Sequence, residues 1–243
     1  MLYLIGLGLN AEGISKQGLQ AVKKCKKIYL ENYTVSFPYS IKELVFVLKK
    51  KVIPADRAKV EGLSLIDEAK KTDIALLVYG SPLTATTHIS LINEAKKSKV
   101  KTKIIYNASI LDAIAETGLQ LYKFGKTTSM PAWDLQKNYT PKSFMKTIQE
   151  NLSMKAHSLI LIDPGLKLKN ALIQLKESSE EYNVKLKKII ICQALGTKKQ
   201  KIIYTDINTE KLNKLSIKEP YSIIIPSKLH FVEKETLKNF ILK

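Results

Sequence analysis

The stretch LYLIGLGLN, residues 2–10, is an unbroken apolar run that ends in closely spaced glycines and an asparagine. A run of this kind is typical of a strand buried on both faces of a parallel sheet. Gly6 and Gly8 at its end would let the backbone approach a ligand, although a simple tight turn is an equal alternative. A dinucleotide-binding fingerprint would need a further glycine where Ala11 stands, so that class of ligand is not indicated.

Outward from this strand, apolar runs alternate with helical patterns as far as residue 106. Ser40 and Glu43 form the spacing of a capping box, which marks a helix start. The alternation predicts an α/β fold with a mostly parallel sheet and helices on both of its faces. The predicted strands are 2–9, 27–31, 51–54, 74–79 and 101–106, and the predicted helices are 15–26, 40–50, 64–71 and 86–97.

The second half of the chain has a different pattern, and we place a domain boundary at residue 107. Domain 1–107 should carry the mostly parallel sheet, and domain 108–243 a mixed sheet. A helix is expected to begin with Thr140 as its N-cap and Pro141 as its first residue. The stretch 118–139 is predicted to be turn-rich, the strands are predicted at 157–163, 188–192, 202–207 and 221–225, and the helices near 167–179 and 233–241.

Two further predicted strands end in small polar residues. One continues into YGSPLTATTH, residues 79–88, and the other into YNASI, residues 106–110. In open α/β sheets ligands bind outside the carboxyl ends of the strands, so these segments are candidate binding loops. The plainer alternative is that Thr86 or Thr87 caps one helix and that Ser109 caps the other.

The residue types that carry acid, base or metal chemistry do not form a recognisable group. His88, His157 and His230 lack metal-ligand spacing, and each is predicted to be structural. Cys25 and Cys192 are predicted to be buried free thiols. No Ser/His/Asp, Cys/His or paired-carboxylate pattern occurs, so we assign no catalytic residue and no metal, and we expect an apolar, backbone-lined site.

Charge is the unusual feature of the composition. Lys and Arg number 40 against 22 acidic residues, a formal net charge of +18, and Arg57 is the one arginine. Because bidentate contacts to phosphates and bases need arginine, the composition argues against nucleic acid as a partner. The apolar N-terminus has no basic leader and is too short to span a bilayer. We therefore expect a cytoplasmic protein that does not associate with a membrane.

The binding-loop candidates belong to longer stretches that resemble the diphthine synthase family, within the tetrapyrrole methylase fold group. The resemblance runs nearly end to end and is most specific from Thr84 to Pro131. Its segments are LYLIGLGL, KKCKKIYLENYT, GSPLTATTH, NASILDAIAETGLQLYKFGKTTSMP and PSKLHFVE.

The resemblance implies a two-domain α/β fold with S-adenosylmethionine (SAM) in the interdomain cleft. It also implies a homodimer that is a SAM-dependent methyltransferase of diphthamide biosynthesis. Its substrate would be a histidine of translation elongation factor 2 that carries an aminocarboxypropyl group. Repeated N-methylation of that group would give diphthine, and S-adenosylhomocysteine would be the second product.

The family's SAM contacts fall on eight positions of this chain. Ser81 stands where the family usually has an aspartate in a GDPL motif, Leu195 lies in CQALGT in place of an ARAGS-like pattern, and Tyr221 replaces another polar aromatic residue. Contacts made through the backbone would survive these differences. The implied cofactor-binding residues are Leu9, Ser81, Thr84, Ser109, Ile110, Ile162, Leu195 and Tyr221.

Two other functions compete with this one. The first is another SAM-dependent methylase of the same fold, acting on a porphyrin or on ribosomal RNA. The aromatic stretch 118–133 argues against a porphyrin, and the single arginine argues mildly against RNA. The second is a basic, non-catalytic RNA-binding protein, for which the Ser81 difference is the one supporting feature.

Overall fold

The computed structural model describes residues 1–62 and 64–242, which fall into two compact units, Met1–Leu111 and Asp112–Lys243. Each unit has a five-stranded sheet of its own. The α/β class expected from the sequence is therefore confirmed. No helix in the described part of the chain is both long and apolar enough to cross a membrane.

The N-terminal unit alternates strands and helices, as predicted. The unit ends within helix α6, Ile110–Ala113. Its strands are β1 Leu2–Gly6, β2 Lys27–Glu31, β3 Ile53–Ala55, β4 Ile74–Val78 and β5 Thr102–Ile105. Its other helices are α1 Lys16–Lys24, α2 Ile41–Leu48, α3 Arg57–Glu61, α4 Ser64–Lys71 and α5 Ile89–Lys97.

All strand pairs in this unit are parallel, in the order β3-β2-β4-β1-β5. Every residue of β1 and β4 is buried, because helices cover both faces of the sheet. Leu4 and Leu76 belong to the core beneath α4 and α5, whereas Ile5 and Leu77 belong to the core beneath α1 and α2. This explains why the strands are continuous apolar runs without a polar face.

Local sequence signals explain most helix starts in this unit. The Ser40–Glu43 capping box at α2 is confirmed, with Glu43 N donating to Ser40 Oγ at 3.2 Å. The proposed caps of α5 were wrong: α5 begins at Ile89, so neither Thr86 nor Thr87 is its N-cap. Thr87 Oγ1 instead donates to Glu61 Oε1 at 3.4 Å.

The C-terminal unit has a mixed sheet in the order β6-β7-β10-β8-β9. Strands β6 and β7 are parallel, and the other neighbours are antiparallel. Helices α7 and α8 pack on one face of this sheet, where Phe144 and Leu175 join its isoleucines in the core. The elements are β6 Thr128–Met130, α7 Ser143–Ser153, β7 Ser158–Ile162, α8 Leu168–Glu181, β8 Lys188–Gln193, β9 Lys201–Asp206, β10 Tyr221–Ile225 and α9 Phe231–Leu237, with 3₁₀ turns at Ile114–Thr117, Leu121–Lys123, Glu210–Lys214 and Lys238–Phe240.

Three predictions for this unit need correction. Helix α7 begins at Ser143, because the carbonyl of Pro141 accepts a hydrogen bond from Trp133 Nε1 at 3.1 Å instead of starting the helix. Strand β6 lies inside the stretch predicted to be turns. The last helix begins at Phe231, two residues before its predicted start at 233, because Glu233 Oε2 accepts from His230 N at 2.6 Å.

A buried ion-pair network fixes the C-terminal unit. Glu233 accepts from Lys123 Nζ, from Gln120 N at 3.0 Å and from His230 N at 2.6 Å, and its Oε1 lies 3.2 Å from His157 Nε2. We call this the Glu233 network. It joins two of the family-like stretches, GLQLYKFGKTT and PSKLHFVE. Burial alone would raise the pKa of Glu233, but its hydrogen bonds, that from Lys123 foremost, lower the pKa to about 2.

Candidate functional site

Two glycine turns meet at the carboxyl edge of the N-terminal sheet. Gly8 follows β1 and Gly80 follows β4, and each donates its N–H to the carbonyl of the other, at 3.0 and 2.9 Å. Both have left-handed backbones, with φ of 69° and 72°, which favour glycine. The loops after β1 and β4 are thereby locked side by side at the centre of the sheet.

Gly6 allows a third loop to join them. A Cβ atom at this position would lie 2.7 Å from Gly80 O and 2.8 Å from both Pro82 Cδ and Asn107 Cβ. No side chain fits in that space, so Gly6 is required for close approach of the loops. Three strand ends therefore form one compact edge built mainly of backbone.

Asn107 ties the three loops together, although from the sequence it was only a domain boundary and a member of the candidate loop YNASI, with no role of its own. Its Nδ2 donates to Gly6 O at 3.0 Å and to Gly13 O at 2.9 Å, and its backbone N donates to Ser81 Oγ at 3.4 Å. The sequence feature that could have identified it is a side-chain amide directly after a buried strand. Asn107 acts as a positioning residue for this edge.

Four of the N-terminal members of the predicted site lie in these three loops, and the fifth, Ile110, follows directly as the first residue of α6. Leu9, Ser81 and Ser109 are buried, and Thr84 and Ile110 are half-buried. Ser109 Oγ accepts from Leu111 N at 3.1 Å, so it also caps α6, as the plainer alternative proposed. The structure therefore brings these five positions to one edge, and the two serine hydroxyls already bond the chain's own backbone.

The C-terminal members of the predicted site gather at one edge of the second sheet. Ile162 ends β7, Leu195 follows β8, and Tyr221 begins the antiparallel strand between them. The Tyr221 hydroxyl donates to Leu166 O at 2.7 Å. Burial raises the pKa of Tyr221 well above its usual range, so its hydroxyl stays neutral.

An aromatic group stands beside the N-terminal edge. The rings of Phe37, Tyr39 and Tyr79 have centroids 5.4 to 6.4 Å apart. The Tyr79 hydroxyl donates to Leu9 O at 3.2 Å, which connects this group to the loop after β1. Sequence reasoning missed the group because Phe37 and Tyr39 lie in a loop with no periodic pattern.

The loop of residues 80–88 also carries a buried polar side chain, His88. His88 is 1% exposed, and neither of its ring nitrogens has a hydrogen-bond partner among the described residues. The same holds for Thr86 Oγ1. Burial lowers the pKa of His88, while the carboxylates of Glu31 and Glu61 act in the opposite direction.

The described residues offer no thiol nucleophile. Cys25 and Cys192 are buried and free, as predicted. Burial raises the pKa of Cys25 to about 11 and that of Cys192 to about 12, so both thiols are protonated near pH 7. Within residues 1–62 and 64–242, no three His, Cys, Asp or Glu side chains are grouped as metal ligands would be.

Comparisons with known proteins identify relatives of the whole chain. A family model described as Tetrapyrrole (Corrin/Porphyrin) Methylases matches residues 1–209. The chain is 39% identical to the diphthine synthase of Methanocaldococcus jannaschii, over 98% of both chains. It is 42% identical to the diphthine methyl ester synthase of Schizosaccharomyces pombe over 192 residues, which are 78% of this chain and 64% of the yeast protein.

A solved structure has the same fold. A diphthine synthase crystal structure matches with a TM-score of 0.88 at 31% identity, covering 99% of this chain and 95% of that one. The chain thus spans nearly all of an archaeal relative and of a solved one, but less than two thirds of the yeast relative.

Proposed function

The chain belongs to the tetrapyrrole methylase family and, within it, to the diphthine synthases, and on this basis we propose that it methylates a modified histidine of elongation factor 2. The methylated group is the amine of the aminocarboxypropyl chain on that histidine, and SAM is the methyl donor. The observation that carries the proposal is 39% identity to a diphthine synthase over 98% of both chains.

The carboxyl edge of the N-terminal sheet fits a nucleoside with an amino-acid tail. Gly6, Gly8 and Gly80 let the loops after β1, β4 and β5 pack against one another, which sets the backbone positions from which Leu9, Ser81 and Ser109 would meet the ligand. The residues proposed to hold SAM are Leu9, Ser81, Thr84, Ser109, Ile110, Ile162, Leu195 and Tyr221.

The chemistry of these eight positions suits the donor. When bound, SAM supplies a methyl group on a positively charged sulfur. None of the eight side chains is charged. Uncharged, partly apolar surroundings favour a reaction in which that positive charge disappears from sulfur, because water would stabilise the charged ground state. The chain's own part is to bind the two reactants in alignment and to exclude water.

The glycine edge gives a direct test of cofactor binding. Gly6→Ala would force Gly80, Pro82 and Asn107 apart, and we expect S-adenosylhomocysteine to bind roughly tenfold more weakly or worse, as calorimetry would show. The control is Gly165→Ala, since a Cβ at Gly165 meets nothing within 4 Å and its left-handed φ of 86° costs only local strain. Equal affinities of the two variants would contradict the proposed position.

The basic surface supports a protein acceptor. With a net charge of +18, the enzyme would associate faster with an acidic face of elongation factor 2 through long-range attraction. Raising the salt concentration should then slow methylation when the acceptor is below saturation. A rate that does not respond to ionic strength would count against this role of the lysines.

The working form is proposed to be a cytoplasmic homodimer. The support for the dimer is the family resemblance, and the support for the compartment is an acceptor that works in translation. Light scattering on the purified chain tests the first point, with a mass of twice 27.4 kDa expected.

The activity is tested by transfer of labelled methyl groups from SAM to elongation factor 2. The factor must carry the aminocarboxypropyl histidine, and the unmodified factor is the control. Label on the modified factor alone supports both activity and acceptor. Tight binding of S-adenosylhomocysteine without transfer to either factor would mean that the chain is a SAM-dependent methylase that acts on a different acceptor.

A further inference from the structure

We infer that His88 is the group that takes the proton from the acceptor amine in the proposed methyl transfer. This inference rests on the proposed function and adds a catalytic residue to it. It is carried by the surroundings of His88, which differ from those of a structural histidine.

The first observation is the lack of partners. His88 is 1% exposed, yet both ring nitrogens and the nearby Thr86 Oγ1 lack hydrogen-bond partners among the residues that the structure describes. A buried polar group without partners costs stability, and such groups concentrate where a ligand or a catalytic role retains them. Packing alone therefore does not account for a histidine at this position.

The second observation is the charge around the ring. Glu31 ends β2 and is buried, and its carboxylate accepts from Tyr33 N, Thr34 N and Thr34 Oγ1 at 2.7 to 3.0 Å. This carboxylate is therefore held in place as a fixed acceptor of hydrogen bonds. Glu61 on α3 is the second carboxylate that acts on His88, and it also accepts from Thr87 Oγ1.

Among the described residues, Arg57 and Tyr33 are further charged and titratable groups at this place. Arg57 NH1 lies 4.0 Å from Glu61 Oε1, and its guanidinium lies 5.2 Å from the centre of the Tyr33 ring. Arg57 therefore offsets part of the negative charge of Glu61, whereas the negative charge of Glu31 still acts on the His88 ring. A neutral imidazole beside carboxylates suits an incoming ammonium group, and the same carboxylates stabilise the imidazolium once the proton has moved.

The third observation is where the cluster lies in the sequence. Glu31, Tyr33 and Thr34 belong to KKCKKIYLENYT, and Thr86, Thr87 and His88 belong to GSPLTATTH. The fold brings these two family-like stretches together. The second stretch also contains Ser81 and Thr84, which are proposed to hold SAM, so His88 lies at the far end of a proposed cofactor loop.

The loop that carries His88 is strained. Leu83 and Ala85 have left-handed backbones, with φ of 67° and 54°. Residues other than glycine adopt this conformation at a cost, and strain of this kind is often retained in segments that rearrange on binding. Because the ring is nearly fully buried, contact with the acceptor requires the loop of residues 80–88 to shift.

The proton balance of the reaction creates the need for such a group. The acceptor nitrogen forms a new N–C bond while the donor's C–S bond breaks and leaves its electron pair on sulfur. The acceptor starts as an ammonium, so one N–H proton must leave it for each methyl group added. We assign that proton to a ring nitrogen of His88, from which it passes to solvent before the next transfer.

The test compares His88→Gln with His157→Gln, a second buried histidine whose ring nitrogens are both paired. Single-turnover methyl transfer to the modified elongation factor is measured from pH 6.5 to 9.5. We expect His88→Gln to be about 100-fold slower near pH 7, with a deficit that shrinks at higher pH, where solvent can deprotonate the amine. S-adenosylhomocysteine should bind His88→Gln as it binds the unaltered chain, and folded His157→Gln should keep the unaltered pH profile.

A second measurement does not depend on turnover. The ¹⁵N signals of the His88 ring in the unaltered protein should shift when modified elongation factor is added with S-adenosylhomocysteine, and should not shift with unmodified factor. If His88→Gln fails to fold, the ring signals of the unaltered protein test the inference in its place. Unchanged ring signals, or equal rates and pH profiles for His88→Gln and the unaltered chain, overturn the inference and leave the proposed function standing. Absence of transfer by the unaltered chain overturns both.

Discussion

The two deeply buried histidines of this protein have opposite surroundings. His157, in the C-terminal unit, is 0% exposed, and its Nδ1 accepts from Ser227 N at 2.9 Å while its Nε2 lies 3.2 Å from Glu233 Oε1. His88, in the N-terminal unit, is 1% exposed, and neither ring nitrogen has a partner among the described residues. Burial lowers the pKa of both imidazoles, so both favour the neutral form.

The difference separates a structural role from a functional one. In the Glu233 network each polar group is matched, so it stabilises the C-terminal unit and fixes α9 against the turn at Leu121–Lys123. Around His88 the carboxylates of Glu31 and Glu61 have partners, but the two ring nitrogens and Thr86 Oγ1 have none among the described residues, so their burial lowers stability with no hydrogen bond to offset it. Residue type and spacing predict the same structural role for both histidines, because they do not show hydrogen-bond partners.

The largest expected effect is a loss of stability in the Glu233 network, where the buried histidine has partners. Glu233→Gln removes a buried carboxylate and leaves Lys123 without its counter-charge, which should lower the free energy of unfolding by about 3 kcal/mol. Urea denaturation measures this. The control is Glu150→Gln, which breaks the exposed pair with Lys126 and should leave the free energy of unfolding nearly unchanged. Similar losses in the two variants would mean that burial does not strengthen the Glu233 network.

Acid titration probes the same network without a mutation. The pKa of Glu233 is about 2 in the folded protein, below the ordinary glutamate value of about 4.3. A carboxyl with a depressed pKa contributes stability that is fully present above the unfolded value and is lost as pH falls toward the folded value. Between pH ~4.5 and ~2, Glu233 should therefore account for a decline of up to about 1.4 kcal/mol per pH unit.

Glu233→Gln should remove that share of the decline, and urea midpoints measured at several pH values would show it. Glu68 complicates the comparison and must be included. Burial alone would raise its pKa, but Lys27, Lys59 and Tyr29 lower it to about 2, so some acid sensitivity will remain in the variant. An unchanged pH slope in Glu233→Gln would contradict the assignment.

Much of the N-terminal fold was predictable, because its strands are apolar on both faces and its helices carry local caps. The run at 2–9 and the capping box at Ser40 are decided by neighbouring residues. The start of α7 was not predictable, since the Pro141 carbonyl is engaged by Trp133, eight residues earlier. Strand β6 has only three residues and forms through its pairing with β7, which no local pattern shows.

The candidate site was predictable as a set of strand ends but not as a geometry. The glycines and small polar residues of the loops were visible in the sequence. The role of Asn107 was not, since its Nδ2 bonds the carbonyls of Gly6 and Gly13, which lie 101 and 94 residues away along the chain. The exceptional state of His88 was equally hidden, because it depends on which groups fail to reach the ring after folding.

A smaller effect is expected at the paired histidine. His157→Leu fills the space but leaves Ser227 N and one Glu233 oxygen without this partner, so we expect a loss of about 2 kcal/mol in urea denaturation. The loss should also depend on Glu233. In Glu233→Gln the same histidine substitution should cost less, because the two residues belong to one network. Strictly additive losses would show that His157 and Glu233 act independently.

The smallest effect, and the one of opposite sign, is expected at the unpaired histidine. His88→Leu removes two buried nitrogens that have no partner among the described residues, so the protein should become more stable by about 1 kcal/mol, while methyl transfer falls. Urea denaturation of His88→Leu and His157→Leu side by side measures the contrast directly. If His88→Leu instead loses as much stability as His157→Leu, then His88 is held by partners in solution, and the distinction between the two histidines fails.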